Sequence, residues 1–428
     1  MQTFLDLYVA HAGTTEIPAA YHKWACLSLL AACVEDRVFG MKHAATPLTP
    51  NLYVLLVGGP GIGRSHAIRM ATRLAEPYWP RLNICWGRLT SQHLIDSLGL
   101  KQPTAAPESN GTYHAARQGL VDAGKLWVVA DDMGVACAKR GSAPEFVTFM
   151  TGLYDGAPMS VDDKSGVFAN VKIHSPCLNW LAGANRDWII RHVTHESIHA
   201  GFFGQTVIVE ASYDHDHRIA EPSYPADLDD IRAELQWRLG KVLSIKRALV
   251  PLAADARAWM TEWYDTRTQP ETNALIPTWR RQQDMLYKVG ILLAVSEWTG
   301  HAREWERPGS EVQPIIVRAW HLKEALAMLE DTYENVGDYV RSALLSPPES
   351  LVRVVGHELR THGEMSHGEL LRRVTNKHFT ANQLHEAIQH LRAEGFVRKE
   401  TRAGAQRGKK WYVWKGVADF IQEASTQA

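Results

Sequence analysis

The stretch from Asn51 to Ser65 confines this chain more than any other, because the apolar run LYVLLV enters the glycine-rich phrase GGPGIGRS without a break. A short, continuous apolar run bounded by turn residues predicts a buried strand. The phrase behind it, Gly58, Gly59, Pro60, Gly61, Ile62, Gly63, Arg64 and Ser65, fits the phosphate-loop pattern G-x-x-x-x-G-[K/R]-[S/T]. Glycines let successive backbone N–H groups turn inward around a phosphate, and the helix that follows points its positive end at the anion. A hydroxyl at Ser65 is placed to ligate Mg²⁺, so ATP and Mg²⁺ are the expected cofactors. Arg64 stands where the common form has lysine, and a planar guanidinium does not simply replace a compact ammonium between the β- and γ-phosphates. Binding tolerates that change better than hydrolysis does. The competing reading is a glycine turn that merely joins a strand to a helix.

Some sixty residues on, KLWVVA (125–130) ends in Asp131 and Asp132, an apolar strand that delivers two carboxylates to a sheet edge. In this position Asp131 would hold the Mg²⁺ hydration shell, and Asp132, in a place usually taken by glutamate, would polarise the attacking water. Two aspartates ending a strand at the surface are the alternative. A third apolar strand, Cys177 to Ala184, ends at Asn185, a polar residue placed to sit between the two motifs and hold the water. Between these strands, residues 158–173 read as a hairpin around a D-D-K-S-G turn with Lys164 at its tip.

Alternation of short apolar strands with helix-like stretches from about Asn51 predicts an α/β fold with a mostly parallel, helix-covered sheet. The expected organisation is an N-terminal helical element (1–45), a P-loop core (46–215), a helical lid (216–345) and a small separate domain (349–428). Consecutive prolines in Leu345-Ser-Pro-Pro-Glu349 stop the preceding helix and suit a linker.

The last of these segments shows three helical stretches, near Leu351–Leu359, Ser366–Val374 and Thr380–Glu394, then two strand-like runs. Three helices followed by a β-hairpin describe a winged helix. Thr380, Gln383 and His385 begin or line the third helix, from which a recognition helix reaches bases, while Arg398, Lys399, Arg402, Arg407, Lys409 and Lys410 load the wing. From Leu351 onward there are 13 Lys or Arg against 8 Asp or Glu, in a chain of 428 residues whose formal net charge is −1. Affinity for nucleic acid therefore has to come from this local excess. A winged helix used for protein contacts is the alternative.

The order of these phrases, with a helical leader, PNLYVLLVGGPGIGRS, DD, LYDG, the hairpin, GANRDW and GFFGQT, resembles the AAA+ P-loop ATPases of phage and mobile-element replication genes, the helicase-like proteins of the DUF3987 type. The resemblance spans about Phe4 to Trp298 and is most specific at the glycine loop. It implies ATP hydrolysis between neighbouring subunits of a homo-oligomeric ring, commonly a hexamer, with an arginine reaching the γ-phosphate of the next subunit. In GFFGQT, where that arginine is expected, this chain has Gln205, leaving Arg186 and Arg191 as substitutes. Arg280 and Arg281 stand where a sensor arginine would reach back to the phosphates, with surface charges as the alternative. Lys164 matches the basic tip of a pore hairpin, with a solvated turn lysine as the alternative.

Three functions follow as expectations: an ATP-dependent DNA motor of a phage or mobile element, a helicase loader or assembly protein for replication or transposition partners, and a nucleotide-gated DNA-binding regulator. Five cysteines without CxxC spacing fit a reduced, cytoplasmic, zinc-free protein. The apolar run Trp24 to Val34 is about half of the ~20 residues a membrane helix needs and reads as a core helix, with no membrane contact expected.

Overall fold

A computed structural model describes the chain outside residues 1, 44–45, 88, 99–123, 138–141, 158, 162–170, 174, 194–196, 199, 212–225, 271–274, 308, 346–348, 376–380, 394, 403–408 and 416–428. Two compact units are present, Met1–His192 with Glu196–Asp338, and Val193–His195 with Tyr339–Ala428. The helical leader, the sheet and the helices up to Asp338 thus share one unit.

In the first unit, five parallel strands form a mixed α/β core in the spatial order Ile84–Trp86, Lys125–Ala130, Cys177–Ala184, Tyr53–Val57, Thr206–Glu210. The three middle strands are buried at every position, as a sheet covered on both faces requires. Each large apolar side chain so buried contributes roughly 1.5–3 kcal/mol. The fourth strand along the chain, Cys177–Ala184, inserts between the glycine-loop strand and the acidic strand, pairing Val54 with Leu181 on one side and Val129 with Leu181 on the other. Parallel strands bring all their C-terminal ends to one edge, so the segments after Val57, Ala130, Ala184 and Glu210 converge.

The helix Ala19–Val34 is apolar nearly all round and packs on the sheet, as its burial at most positions requires. Two hydrogen bonds tie it to the sheet: Ser28 Oγ accepts from Trp127 Nε1 at 3.2 Å, and Asn179 Nδ2 donates to the Ala31 carbonyl at 3.3 Å. No helix among the described residues is long and apolar enough to cross a membrane. Before it comes a helix the sequence reading did not separate, Phe4–Ala12, started by a capping box of Thr3 and Asp6. The helices Leu228–Leu243, Ala254–Thr266, Ile276–Gly300 and Ala319–Leu345 follow the sheet. Ile276–Gly300 is buried through its middle because it packs on both leading helices and on Phe202–Gln205.

Met159–Val161 pairs antiparallel with Val171–Ile173, while the tip between them lies outside the described residues. The second unit has helices Glu349–His362, His367–Thr375 and Ala381–Ala393, and an antiparallel sheet ordered Glu364–Ser366, Lys409–Trp414, Val397–Arg402. Leu351, Val355, Leu359, Leu370, Leu384, Ile388 and Tyr412 form its core. Ser366 and Glu369 cap its second helix reciprocally, Ser366 N to Glu369 Oε2 at 3.0 Å and Glu369 N to Ser366 Oγ at 3.3 Å. The first strand of this sheet was missed from sequence, since three residues carry almost no pattern.

Candidate nucleotide-binding site

The buried strand Tyr53–Val57 delivers Gly58 beneath Tyr21, whose hydroxyl donates to the Val57 carbonyl. A Cβ on Gly58 would sit 2.6 Å from that hydroxyl oxygen, so only glycine leaves the strand here. Gly61 and Gly63 take left-handed φ values of 86° and 90°, which turns the loop around a concave space. Nothing lies within 4 Å of where a Cβ would stand on Gly59 or Gly61. Gly63 also precedes the helix Arg64–Leu74 as an N-cap without a side-chain cap, leaving the first N–H groups of that helix for an anion.

Arg64 turns under the loop toward the acidic strand end. Its side chain is 12% exposed, with Nη2 3.7 Å from Asp132 Oδ2. Its Nη1 is buried and, among the described residues, without a partner. Ser65 Oγ donates to the Asp131 carbonyl at 3.3 Å. Between these groups lies Gly183, where a Cβ would collide with the Asp131 carbonyl oxygen. Gly183 was not singled out from sequence, although the small-residue run Ala182-Gly183-Ala184 at a strand end is the signal that could have found it.

Both aspartates are engaged. Asp131 Oδ2 accepts from Arg69 Nε at 2.8 Å and from Arg69 Nη2. Asp132 caps the short helix Met133–Ala136, its Oδ1 accepting from Gly134 N at 2.7 Å and Val135 N at 3.3 Å. Asn185 Oδ1 accepts from Trp188 N at 2.7 Å and so starts the helix Arg186–His192. Arg186 pairs with Glu210 at 3.2 Å, and Arg191 lies in the same helix. Among the described residues no group of three or more His, Cys, Asp or Glu side chains could hold a metal by itself. Ser65 and Asp131 nevertheless offer hard oxygens beside the loop, the donor type of Mg²⁺ sites in which phosphates and waters complete the shell.

The geometry carries Arg281 away from the loop. Its two Nη atoms bind the two Asp155 carboxylate oxygens, each at 3.0 Å, and hold that carboxyl below the usual range against the opposing effect of burial. This pair sits where the strands begin: Gly156 abuts the Pro176 carbonyl before Cys177, and a Cβ on Gly204 would stand 3.0 Å from Arg281 Cδ and 3.1 Å from Thr278 Cα. The phrases LYDG and GFFG therefore meet at the N-terminal edge of the sheet. Five-residue strands rising ~3.3 Å per residue put roughly 15 Å between this edge and the loop. Arg280 is exposed on the same helix. Gln205, only 1% exposed, is enclosed just before Thr206.

Sequence reasoning also missed Lys288, the centre of this edge. Its Nζ donates to Asn51 Oδ1 at 2.7 Å and stands 3.9 Å from the Tyr154 ring centroid, and burial pushes its pKa down to about 7. Asn51 Nδ2 donates in turn to the Tyr154 carbonyl at 3.0 Å. A lysine in the middle of an apolar helical run, Met285 to Val295, is the signal that marks it.

In the second unit Gln383 lies in the helix Ala381–Ala393, and Arg398, Lys399 and Lys410 are exposed on paired strands. Arg402 and Lys409 face each other in register at the end of that pairing. Lys164, Thr380 and Arg407 lie outside the described residues.

No family model matches the chain, and no curated protein does. Among solved structures it is similar to that of the Aeropyrum pernix Orc1 protein in complex with DNA, at 14% identity and a TM-score of 0.24, over 97% of this chain and 94% of that one. So low a score does not establish a common fold, and the functional reading rests on the site.

Proposed function

We propose that this chain is a nucleotide-binding P-loop ATPase of AAA+ type that acts on DNA. The observation that carries the reading is the loop Gly58–Ser65, left-handed at Gly61 and Gly63, closed below by an Arg64 guanidinium with one buried, unpartnered nitrogen. An orphaned donor in a water-poor site gains most from an ionised acceptor such as a phosphate oxygen. In this reading the backbone N–H groups of the loop cradle the β-phosphate. Arg64 exchanges its long contact with Asp132 for the γ-phosphate. Ser65 and Asp131 would hold Mg²⁺, which would supply positive charge against the phosphates. Asp132 Oδ2, released from Arg64, then faces the attacking water, and Asn185 lies one strand away. A cavity of about 280 Å³ lined by Ala20, Lys23, Trp24, Glu210, Met328 and Asp331 adjoins the loop through Tyr21 and Ala211 and suits the base.

Reading the second unit as a winged helix is supported by its three helices, its three antiparallel strands and the exposed Arg398, Lys399 and Lys410. With Lys164, which the sequence alone assigns to a turn, these residues would hold the DNA of a ring-forming, helicase-like motor of a phage or mobile element. Binding of a fluorescent ATP analogue, followed by turnover with and without single-stranded DNA, tests the proposal. Saturable binding lost in Arg64→Ala and DNA-stimulated turnover are expected; a wild-type protein that binds no nucleotide sinks it.

A second reading, a loader or assembly protein that binds nucleotide without turning it over, is favoured by one observation. Asp132 has its Oδ1 committed to a helix cap and its Oδ2 beside Arg64, and an enclosed Gln205 stands where an arginine would reach the γ-phosphate. Saturable binding with no turnover, with or without DNA, would select it.

A further inference from the structure

In the first unit, away from the glycine loop, Arg267 is stacked among three aromatic rings, with its guanidinium carbon 4.3 Å from the Trp279 ring centroid, 4.8 Å from Trp263 and 5.3 Å from Tyr264. One of its nitrogens, Nη2, donates to the Trp279 carbonyl. Among the described residues the other two, Nε and Nη1, are buried and have no partner. Trp279 Nε1 and the Tyr333 hydroxyl are buried and unpartnered as well. Arg267, Trp279 and Tyr333 line one cavity of about 260 Å³, together with Thr278, Gln282 and Leu275. Burial holds the Arg267 guanidinium below its ordinary pKa, and among the described residues the neighbours that oppose this are Tyr264 and Tyr333, not a carboxylate.

Indole N–H and guanidinium N–H groups can only donate, and the tyrosine hydroxyl is free to donate too. A buried cation surrounded by unmatched donors is costly unless an acceptor, best of all a charged one, fills the space. Aromatic faces hold the guanidinium plane in place without consuming its hydrogen bonds. We propose that this cavity is a binding site for a small oxyanion, a carboxylate or a phosphate, held by Arg267 with Trp279 Nε1 and the Tyr333 hydroxyl. The apolar remainder of its wall admits a compact organic body on that anionic head. The site stands on the helices Ala254–Thr266, Ile276–Gly300 and Ala319–Leu345, and its existence does not depend on the nucleotide reading.

The test uses the full chain, with intrinsic tryptophan fluorescence and Tm followed during titration with inorganic phosphate and separately with benzoate, each against chloride at equal ionic strength. Saturation by at least one of the two is expected, and which one saturates identifies the head group. Apparent affinity should fall at least about tenfold in Arg267→Gln, the loss of a charged hydrogen bond, and by a smaller factor in Tyr333→Phe. Arg64→Ala should remove only the part of the phosphate response that the glycine loop contributes, and the part lost in Arg267→Gln should persist in it, which separates the two sites. Tyr333→Phe keeps the test decisive if Arg267→Gln fails to fold. The proposal is overturned if neither anion gives a saturable response, or if the response survives both Arg267→Gln and Tyr333→Phe.

Discussion

Where the strands of the parallel sheet begin, Asn51, Lys288, Tyr154, Asp155 and Arg281 satisfy one another's charges and hydrogen bonds; where the strands end, glycines leave space and Arg64 keeps a nitrogen unmatched. The two edges are built from the same strands, yet one is closed by polar pairing and the other held open by missing side chains. A group already satisfied within the protein gains little from a ligand, whereas an unsatisfied one gains the full difference. On this basis the first edge stabilises the unit and the second is free to bind.

The largest effect that sharpens this contrast is expected at the closed edge. Asn51→Ala removes the side-chain acceptor of Lys288 Nζ and the donor to two backbone carbonyls at once, and should lower the unfolding free energy by about 3 kcal/mol in urea titration. A loss below 1 kcal/mol would mean that water replaces Asn51 and that the edge is not closed. Nearly as large is Gly63→Val at the open edge, which combines a left-handed φ with a contact 2.5 Å from Ile17 Cγ1. Nucleotide affinity should drop about a hundredfold in a fluorescence titration, equivalent to about 2.7 kcal/mol.

The third test is a pH dependence. Lys288 has a folded pKa of about 7, below the value of about 10.4 expected in an unfolded chain. The full destabilisation therefore applies below pH 7. Between pH 7 and about 10.4 the unfolded state holds the proton that the folded state has shed, so this residue makes stability rise by about 1.4 kcal/mol per pH unit. Comparing wild type with Lys288→Met by denaturant titration at several pH values should remove that slope, and an unchanged slope would break the assignment. The smallest effect belongs to Arg69→Ala. Its partner Asp131 is 37% exposed and Arg69 itself 59%, so the variant should change thermal unfolding by less than about 1 kcal/mol.

The open edge was legible in the sequence because its determinants are local. A strand, its glycines and the helix behind them occupy Asn51 to Leu74, and each of the three apolar strands reads from its own residues. The closed edge was not legible. Arg281 meets Asp155 across 126 positions and Lys288 meets Asn51 across 237, distances over which no periodicity links residue to partner. Sequence alone therefore offers Arg281 only the phosphates or the surface, although the glycines of GFFG that receive it are visible. The strands Ile84–Trp86 and Thr206–Glu210 escaped notice for a different reason, one being three residues long and the other hidden behind a phrase read for its arginine position.

The insertion of Cys177–Ala184 between two earlier strands also orders events in time. As the chain leaves the ribosome, Gly58–Ser65 emerges more than a hundred residues before Gly183 does. Until then the glycine-loop strand and the acidic strand have no common neighbour to pair with, since neither touches the other in the finished sheet. Joining them is a long-range closure, slow compared with forming the helices on either side. A nascent chain arrested shortly before residue 177 should carry the complete glycine motif and yet lack the site it serves.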